Sequence, residues 1–374
     1  MPYPIAATMA RGSKGQNAAI YLLRDEFTTD RAAGAVNGTA AEPGPGNRTV
    51  NDVESVITVA TGKLTFANPA TPVHSDEYVV YPAVARATGL MAYSRFGYTA
   101  AGSAYPLGLC NAVVPSGAGN GNFTADFYIA NIIRVQNAVA GITEIGAVAS
   151  GTEYQLALVL RSIGTHFLIK GGAFTAWTLL WSSVNDNTAT LYPAISQYNG
   201  AFTVDDLRVA QLGAPWVADY GIITQRLAGA RSAGDTFAHE ANTLIEFTAT
   251  TVPAALQIEL RFRIQDATNY WQVTVDSTGA LDLDEVVAGV VTQRGTAAGM
   301  VANGDRIVIV ADSTTIKVYE AGMLRITYAL AANFATETDG ELWTEGTGGA
   351  VTDIISWPRT LSGAALAELE KYTA

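Results

Sequence analysis

Cysteine is almost absent from this chain of 374 residues, because Cys110 is the only one. A single cysteine excludes an intrachain disulfide, and it leaves no set of thiolates for a structural zinc ion. Free cysteine in folded proteins is most often a buried and inert residue. We therefore predict that Cys110 lies in a core.

Positive charge is also scarce. The chain has 22 Lys and Arg against 34 Asp and Glu, which gives a formal net charge of −12, and its basic residues form no cluster. A protein that binds a nucleic-acid backbone needs clustered Lys and Arg to neutralise the phosphates. The composition therefore argues against nucleic acid as a partner.

Long apolar runs are missing as well. No segment approaches the roughly 20 apolar residues that span a bilayer. The first 23 residues contain no apolar run of the length found in signal peptides. The sequence thus predicts no membrane partner and synthesis in a cytoplasm without a signal peptide.

What the chain does have is a β pattern. Apolar residues make up 49% of it, and its 36 glycines suit many short strands joined by tight turns. The clearest signal is a period of two held over ten residues, in which polar residues separate Leu256, Ile258, Leu260, Phe262 and Ile264. Such alternation predicts strands with one face in a core, and therefore an all-β fold built from stacked antiparallel sheets.

The chain also contains an internal duplication. Residues 151–209 and 304–357 both begin with Gly and an acidic group, continue through two strands, a Gly turn and a third strand, and end in a closing strand. This duplication predicts two tandem domains, at 21–212 and 235–374. The linker between them, 213–234, carries Trp216 and Ile222 and is expected to pack between the domains.

Residues 1–20 read as an extended arm, because Pro and Gly break any helix there. Two interpretations stay open. The arm is either a frayed terminus or a segment that lies on a neighbouring subunit through Tyr3, Ile5 and Met9, which would make the protein a homo-oligomer.

The segment VTDIISWPRTLSGAALAELEKY (351–372) resembles the closing strand and turn of the laminin-G-like or concanavalin-A-like jelly-roll superfamily. In that superfamily an Asp-hydrophobic-x-hydrophobic-aromatic-x-Arg-x-Leu-Ser run precedes a short acidic helix. AFTVDDLRVAQL (201–212) is similar to the same strand without the helix. The resemblance implies two tandem jelly-roll β-sandwiches with a short C-terminal helix.

Two further stretches, the opening DEFTTDRAAG and FRIQDATNYWQVTVDSTGALDLDEV, resemble segments of tandem jelly-rolls in phage virion proteins. This resemblance implies a non-enzymatic structural protein at the virion surface, in capsid decoration or in a tail, with itself and other virion proteins as partners. The alternative is a carbohydrate-binding module that recognises a host surface glycan. A glycosidase is the third hypothesis.

The glycosidase hypothesis depends on Asp282, Asp284 and Glu285. An acid and a nucleophile must flank the sugar about 5 Å apart and therefore point the same way. In a strand, Asp282 and Asp284 share one face while Glu285 points to the other. We therefore predict no catalytic residues and a solvated role for these carboxylates.

Two kinds of binding site remain as expectations. Proteins of the resembled superfamily often bind calcium at a loop rim, and no other cofactor is predicted. The best-placed oxygen ligands for a calcium ion are Asp205, Asp206 and Asp353. Sugar faces stack on aromatic rings, and the candidates for contact with a glycan are Trp177, Trp181, Tyr192, Tyr270 and Trp271.

Overall fold

The computed structural model describes residues 20–44, 46–73, 75–99, 102–115, 123–130, 132–137, 141–184, 190–231, 234–254, 257–344 and 349–374. The predicted arm contacts Tyr3, Ile5 and Met9 lie outside these ranges. The described chain is almost entirely β and forms two tandem antiparallel jelly-roll sandwiches.

The first sandwich contains fifteen strands, and they follow one another in the order β1 (Tyr21–Asp25), β2 (Thr49–Asp52), β3 (Ile57–Ala60), β4 (Lys63–Phe66), β5 (Glu77–Val80), β6 (Leu90–Tyr98), β7 (Ala104–Cys110), β8 (Phe123–Ile129), β9 (Ile132–Asn137), β10 (Gly141–Ala147), β11 (Thr152–Leu160), β12 (Thr165–Gly171), β13 (Phe174–Ser182), β14 (Tyr192–Gln197) and β15 (Phe202–Gln211). Sheet I has the order β13-β12-β11-β6-β15-β4-β3, with β1 also paired to β15. Sheet II has the order β10-β9-β8-β7-β14-β5-β2.

The second sandwich contains β16 (Gln225–Arg231), β17 (Asp235–Ala238), β18 (Thr243–Thr251), β19 (Gln257–Asp266), β20 (Asn269–Asp276), β21 (Leu281–Val287), β22 (Val290–Ala297), β23 (Asp305–Asp312), β24 (Thr315–Glu320), β25 (Met323–Tyr328), β26 (Asp339–Thr344) and β27 (Ala350–Pro358), followed by helix α1 (Gly363–Thr373). Sheet III has the order β16-β27-β18-β23-β24-β25, and sheet IV has the order β17-β26-β19-β20-β21-β22. No helix among the described residues is both long and apolar enough to cross a membrane.

The two sandwiches share one strand order. In sheet I the run β13-β12-β11-β6-β15 matches β25-β24-β23-β18-β27 of sheet III, and in sheet II the run β10-β9-β8-β7-β14-β5 matches β22-β21-β20-β19-β26-β17 of sheet IV. The duplication seen in the sequence is therefore a duplication of topology. Sheet IV occupies in the second sandwich the place that sheet II has in the first.

The predicted alternation holds over the first half of β19 and then breaks. Ile258, Leu260 and Phe262 are fully buried in the second core, and Leu256 lies outside the described residues. Arg263 has a positive φ of 51°, and the pairing of β19 with β20 shifts between Phe262 and Asp266. This bulge turns Arg263 inward and leaves Ile264 only half-buried, which corrects the expectation that Ile264 belongs to the core.

The sandwiches are joined by apolar side chains on the outer face of sheet III. Alternate residues of its strands face the second core, whereas Leu244, Val308, Tyr319 and Trp357 pack with the first. The Trp357 and His166 rings lie 5.1 Å apart, and the Tyr319 and Trp181 rings 5.0 Å apart. The central strands of sheet III are therefore buried on both faces.

Helix α1 returns to the first sandwich. The Tyr372 ring meets the Tyr21 ring of β1 at 5.8 Å, and Arg208 of β15 donates to the carbonyl oxygens of Tyr372 (2.9 Å) and Ala374 (2.8 Å). Leu369 is fully buried in the first core. The last residues of the chain thus complete the cover over sheet I.

The linker is shorter than the sequence predicted. Trp216 and Ile222 are buried as expected, and the indole N–H of Trp216 donates to Ala365 at 3.0 Å. The predicted end at residue 234 is wrong, because residues 225–231 form β16 and pair with β27. Their weak apolar pattern reflects an edge strand, which is only half covered.

A buried ion pair fixes the loop that follows β1. Arg48 donates to Asp25 from Nε (2.6 Å) and from Nη2 (2.5 Å), and the Tyr81 hydroxyl donates to the same carboxylate at 2.9 Å. The side chains of Arg48 and Asp25 are fully inaccessible to solvent. Burying such a pair is tolerated because its members satisfy each other.

Cys110 is buried, as predicted. Burial and the nearby Asp126 carboxyl raise the pKa of its thiol well above the ordinary value. Asp126 is itself completely buried on β8, and neither carboxylate oxygen finds a hydrogen-bond partner among the described residues. Burial raises the pKa of Asp126 well above its ordinary value.

Asp126 should make folding sensitive to pH. Because its pKa is raised, the folded chain keeps a proton that the unfolded chain releases above about pH 4. Its contribution to stability is full below that pH and falls as the pH rises towards the folded pKa. Within this window, we expect the free energy of unfolding of Asp126→Asn to rise relative to that of the wild type by up to about 1.4 kcal/mol per pH unit. Urea unfolding between pH 4 and 8 measures this difference. If the two proteins show parallel profiles of stability against pH, the prediction is contradicted.

Candidate functional site

Three of the five aromatic residues predicted to contact a glycan are in cores. Trp271 is fully buried in the second core and donates to the Asn333 carbonyl at 2.9 Å. Trp177 is 1% exposed and its carbonyl accepts from the Leu361 N–H at 2.9 Å, whereas Trp181 is 4% exposed and meets the Tyr319 ring of the second sandwich at 5.0 Å. The prediction is therefore wrong for these tryptophans. Trp271 faces the core of its own sandwich, and the alternation does not show that later parts of the chain cover Trp177 and Trp181.

The predicted calcium ligands do not converge. Asp206 pairs with Arg208 at 2.6 Å, Asp205 lies 3.6 Å from Arg95, and Asp353 pairs with Arg226 at 3.2 Å in the other sandwich. Throughout the described ranges, no three His, Cys, Asp or Glu side chains lie close enough to hold a metal ion. These aspartates serve as partners for arginine.

The remaining two candidates lie on matching faces, Tyr192 on sheet II and Tyr270 on sheet IV. The outer face of sheet II forms a small cluster rich in tyrosine, in which the Tyr105 and Tyr128 rings stack at 4.9 Å and Arg134 lies 5.1 Å over Tyr128. Tyr192 is half-buried at its margin. This face is largely apolar.

The outer face of sheet IV is polar. The strand register aligns two rows of side chains across it, and we call these rows the polar floor. They are Trp343, Glu259, Thr274 and Asp282 in one row and Glu341, Arg261, Gln272 and Asp284 in the other. Neighbouring strands lie about 4.8 Å apart, so each row extends over about 14 Å.

One edge of the polar floor is aromatic. The Arg261 guanidinium lies 4.6 Å from the Tyr270 ring centroid and 4.8 Å from the Trp343 centroid. Trp343 is 37% exposed, whereas Tyr270 is 8% exposed. Arg261 also donates to Glu259 and lies 3.7 Å from Glu341. The arrangement holds an open indole ring beside a fixed row of polar groups.

The other edge carries the aspartates. Gln272 donates to Asp284 at 3.0 Å, and Oδ1 of Asp282 is buried without a hydrogen-bond partner among the described residues. Burial raises the pKa of Asp284, although the hydrogen bond from Gln272 opposes this shift. Asp284 is 7% exposed and so sits in a sunken surface, which corrects the expectation of a solvated side chain.

Glu285 points away from the polar floor, as the alternation predicts, but it is 4% exposed, which corrects the expectation of a solvated side chain. It is paired in register with the buried Trp271, and its carboxylate accepts from Arg294 (2.5 Å) and Asn333 (2.6 Å). Asp282 and Asp284 therefore share a face without the third carboxylate.

Trp343 and Glu341 were not among the residues predicted from the sequence. Gly340 and Leu342 are buried in β26, so simple alternation places Glu341 and Trp343 together on its other side. What the alternation does not give is their partner strand, because Arg261, which pairs with Glu341, lies 80 residues earlier in the chain (341 − 261).

A cleft of about 190 Å³ at the junction is a weaker candidate. Its cationic side chains already have partners, since Arg359 contacts Asp312 at 3.2 Å and Lys317 donates to the Ile145 carbonyl at 2.5 Å. These contacts join the sandwiches and leave little for a ligand.

No protein-family model and no curated protein matches this sequence. Similar solved structures include the galectin LEC-6 of Caenorhabditis elegans, with 8% identity and a TM-score of 0.30 over 35% of this chain and 94% of that one. The carbohydrate-binding module CBM66 of Bacillus subtilis has 14% identity and a TM-score of 0.28 over 35% of this chain and 83% of its own. A Ruminococcus gnavus IT-sialidase module, CBM40 bound to α2,3-sialyllactose, has 10% identity and a TM-score of 0.29 over 39% of this chain and 98% of its own. The assignment of the fold rests on the strand order given above.

Proposed function

We propose that this protein is a non-enzymatic carbohydrate-binding protein and that saccharides bind on the polar floor of sheet IV. The observation that supports this most is the exposed Trp343 ring beside rows of carboxylate, guanidinium and amide groups. The apolar face of a sugar stacks on such a ring. Its hydroxyls donate to carboxylates and accept from Arg261 or Gln272.

The dimensions of the floor suit a short chain of sugars. A row of about 14 Å is wider than one sugar ring, and most of its side chains are held by neighbours, as Arg261 is by Glu259 and Asp284 is by Gln272. Groups that are already ordered lose little conformational entropy when a ligand binds.

Replacing Trp343 by Ala should weaken saccharide binding by about tenfold or more. A tenfold loss corresponds to about 1.4 kcal/mol, which is of the order that a stacked ring contributes. A glycan array with the whole chain identifies the ligands, and calorimetric titration of the strongest of them measures the loss.

Tyr192→Ala is the matched control, because it removes an aromatic ring from the equivalent face of the first sandwich. It should leave the affinity unchanged. Loss of binding in Tyr192→Ala but not in Trp343→Ala would move the site to sheet II. Release of reducing sugar from any bound ligand would refute the non-enzymatic part of the proposal.

The virion assignment remains a prediction that rests on the resemblance of two sequence segments. Glycan binding is compatible with it, since an adsorption protein of a tail would use such a face. Imaging of particles that carry a labelled copy of this protein would test the location.

A further inference from the structure

We propose that the polar floor selects saccharides that are uncharged or carry an amine, and that it excludes saccharides bearing carboxylate or sulfate. This inference rests on the proposed function and adds the chemical class of the ligand. We infer this selectivity from the charges of the floor. Among the described residues of its two rows, Arg261 is the one cation, and it lies beside four carboxylates, those of Glu259, Glu341, Asp282 and Asp284.

The charge of Arg261 is already engaged. Its Nε donates to Glu259, and Nη1 lies 3.7 Å from Glu341. The guanidinium also lies 4.6 Å from the Tyr270 ring centroid and 4.8 Å from the Trp343 ring centroid. An acidic ligand would have to compete with two carboxylates of the protein for this group. Among the described residues, no second Lys or Arg shares the two rows.

The neighbouring cations are directed elsewhere. Arg263 turns inward at the bulge and donates to the Ala241 carbonyl at 3.1 Å. Arg294 binds Glu285, which lies on the opposite side of β21. Neither arginine offsets the carboxylates of the floor.

Asp282 provides the second reason. It is half-buried, and its Oδ1 is enclosed without a hydrogen-bond donor among the described residues, so no neighbouring donor there offsets the charge on that side of the carboxylate. A sugar hydroxyl or ammonium group can donate to the accessible part of this carboxylate, whereas carboxylate and sulfate groups offer only acceptors. An acidic sugar would add a like charge beside it.

Repulsion of this kind is large enough to decide specificity. Two like charges about 7 Å apart weaken binding by roughly 3-fold in a water-like environment and roughly 50-fold at an effective dielectric constant of 20. We therefore expect a discrimination of about tenfold or more between a neutral saccharide and its acidic derivative.

The test uses matched pairs of probes on the whole chain. Lactose is compared with sialyllactose, and a tetramer of N-acetylglucosamine is compared with the tetramer of glucosamine, together with sulfated derivatives of any neutral ligand found on the array. We expect the acidic member to bind at least tenfold more weakly and the amine-bearing member at least as tightly as its neutral counterpart.

The double variant Asp282→Asn/Asp284→Asn should lower the ratio of neutral to acidic affinity by about tenfold. This ratio is compared within each protein, because the two carboxylates also contribute to the binding of neutral sugars. Glu240→Gln/Glu337→Gln is the control, since it changes net charge equally away from the floor and should keep the wild-type selectivity. Thermal melting confirms that both double variants are folded.

Equal affinity of the wild type for the neutral and acidic members would overturn this inference and leave the proposed function standing. The same holds if Glu240→Gln/Glu337→Gln reduces the difference between neutral and acidic affinity as much as Asp282→Asn/Asp284→Asn does. The selectivity would then come from the net charge of the chain. Absence of binding to every saccharide would overturn both the inference and the proposed function.

Discussion

Replacing Arg48 by Met should lower the free energy of unfolding by about 3–5 kcal/mol, because it would leave the Asp25 carboxylate buried without its cation. Asp25 is fully inaccessible and accepts from Arg48 Nε, Arg48 Nη2 and the Tyr81 hydroxyl. The remaining donors, Tyr81 and two backbone N–H groups, cannot neutralise the charge. Urea denaturation followed by tryptophan fluorescence measures the loss.

Arg24→Met is the matched control for this substitution. Arg24 also pairs with a carboxylate, that of Glu26, but both side chains are about one third exposed. Exposed pairs contribute less than about 1 kcal/mol. The double variant Asp25→Leu/Arg48→Met should recover much of the stability, since it removes the orphaned charge. Similar losses for Arg48→Met and Arg24→Met would show that burial of the pair does not matter.

Replacing Trp357 by Ala should cost about 3–5 kcal/mol and should divide thermal unfolding into two transitions. A buried tryptophan truncated to alanine loses transfer energy and leaves a cavity. Trp357 is fully buried and packs against His166, Tyr220 and Arg161 of the first sandwich and linker. Its indole N–H has no hydrogen-bond partner among the described residues, so the loss is one of packing.

Differential scanning calorimetry distinguishes the outcomes. The wild type should unfold in one transition because a single apolar cluster runs from sheet II to sheet III. Trp343→Ala, the same change at an exposed ring, should cost less than about 1 kcal/mol and keep one transition. A Trp357→Ala variant that still unfolds in one step, only at lower temperature, would mean that other contacts suffice to couple the sandwiches.

The sequence predicted the topology of this chain better than its surfaces. Alternation placed Ile258, Leu260 and Phe262 in a core, because a strand has a strict period of two. It failed at Ile264 because the bulge that begins at Arg263 gives β19 two residues more than β20 between the pairs Phe262–Trp271 and Asp266–Asn269, and nothing in the local pattern marks that bulge.

The aromatic residues show a second limit. Trp177 and Trp181 lie on a strand whose outer side would be open in an isolated sandwich, but Tyr319 of the second sandwich packs on Trp181 and the segment of Leu361 pairs with Trp177. Such burial depends on contacts between residues far apart in the chain. The polar floor could not be predicted from the sequence for the same reason, since Trp343 and Arg261 come together only through the pairing of β26 with β19.

The return of helix α1 to β1 and β15 has a consequence for synthesis. On a ribosome, the residues of the first sandwich emerge before those of the second, yet Leu369 and Tyr372, which close over the first sandwich, are made only after the second. During elongation the apolar outer side of sheet I stays open to water or to other chains. Completion of the first sandwich therefore requires that the second sandwich has already been synthesised.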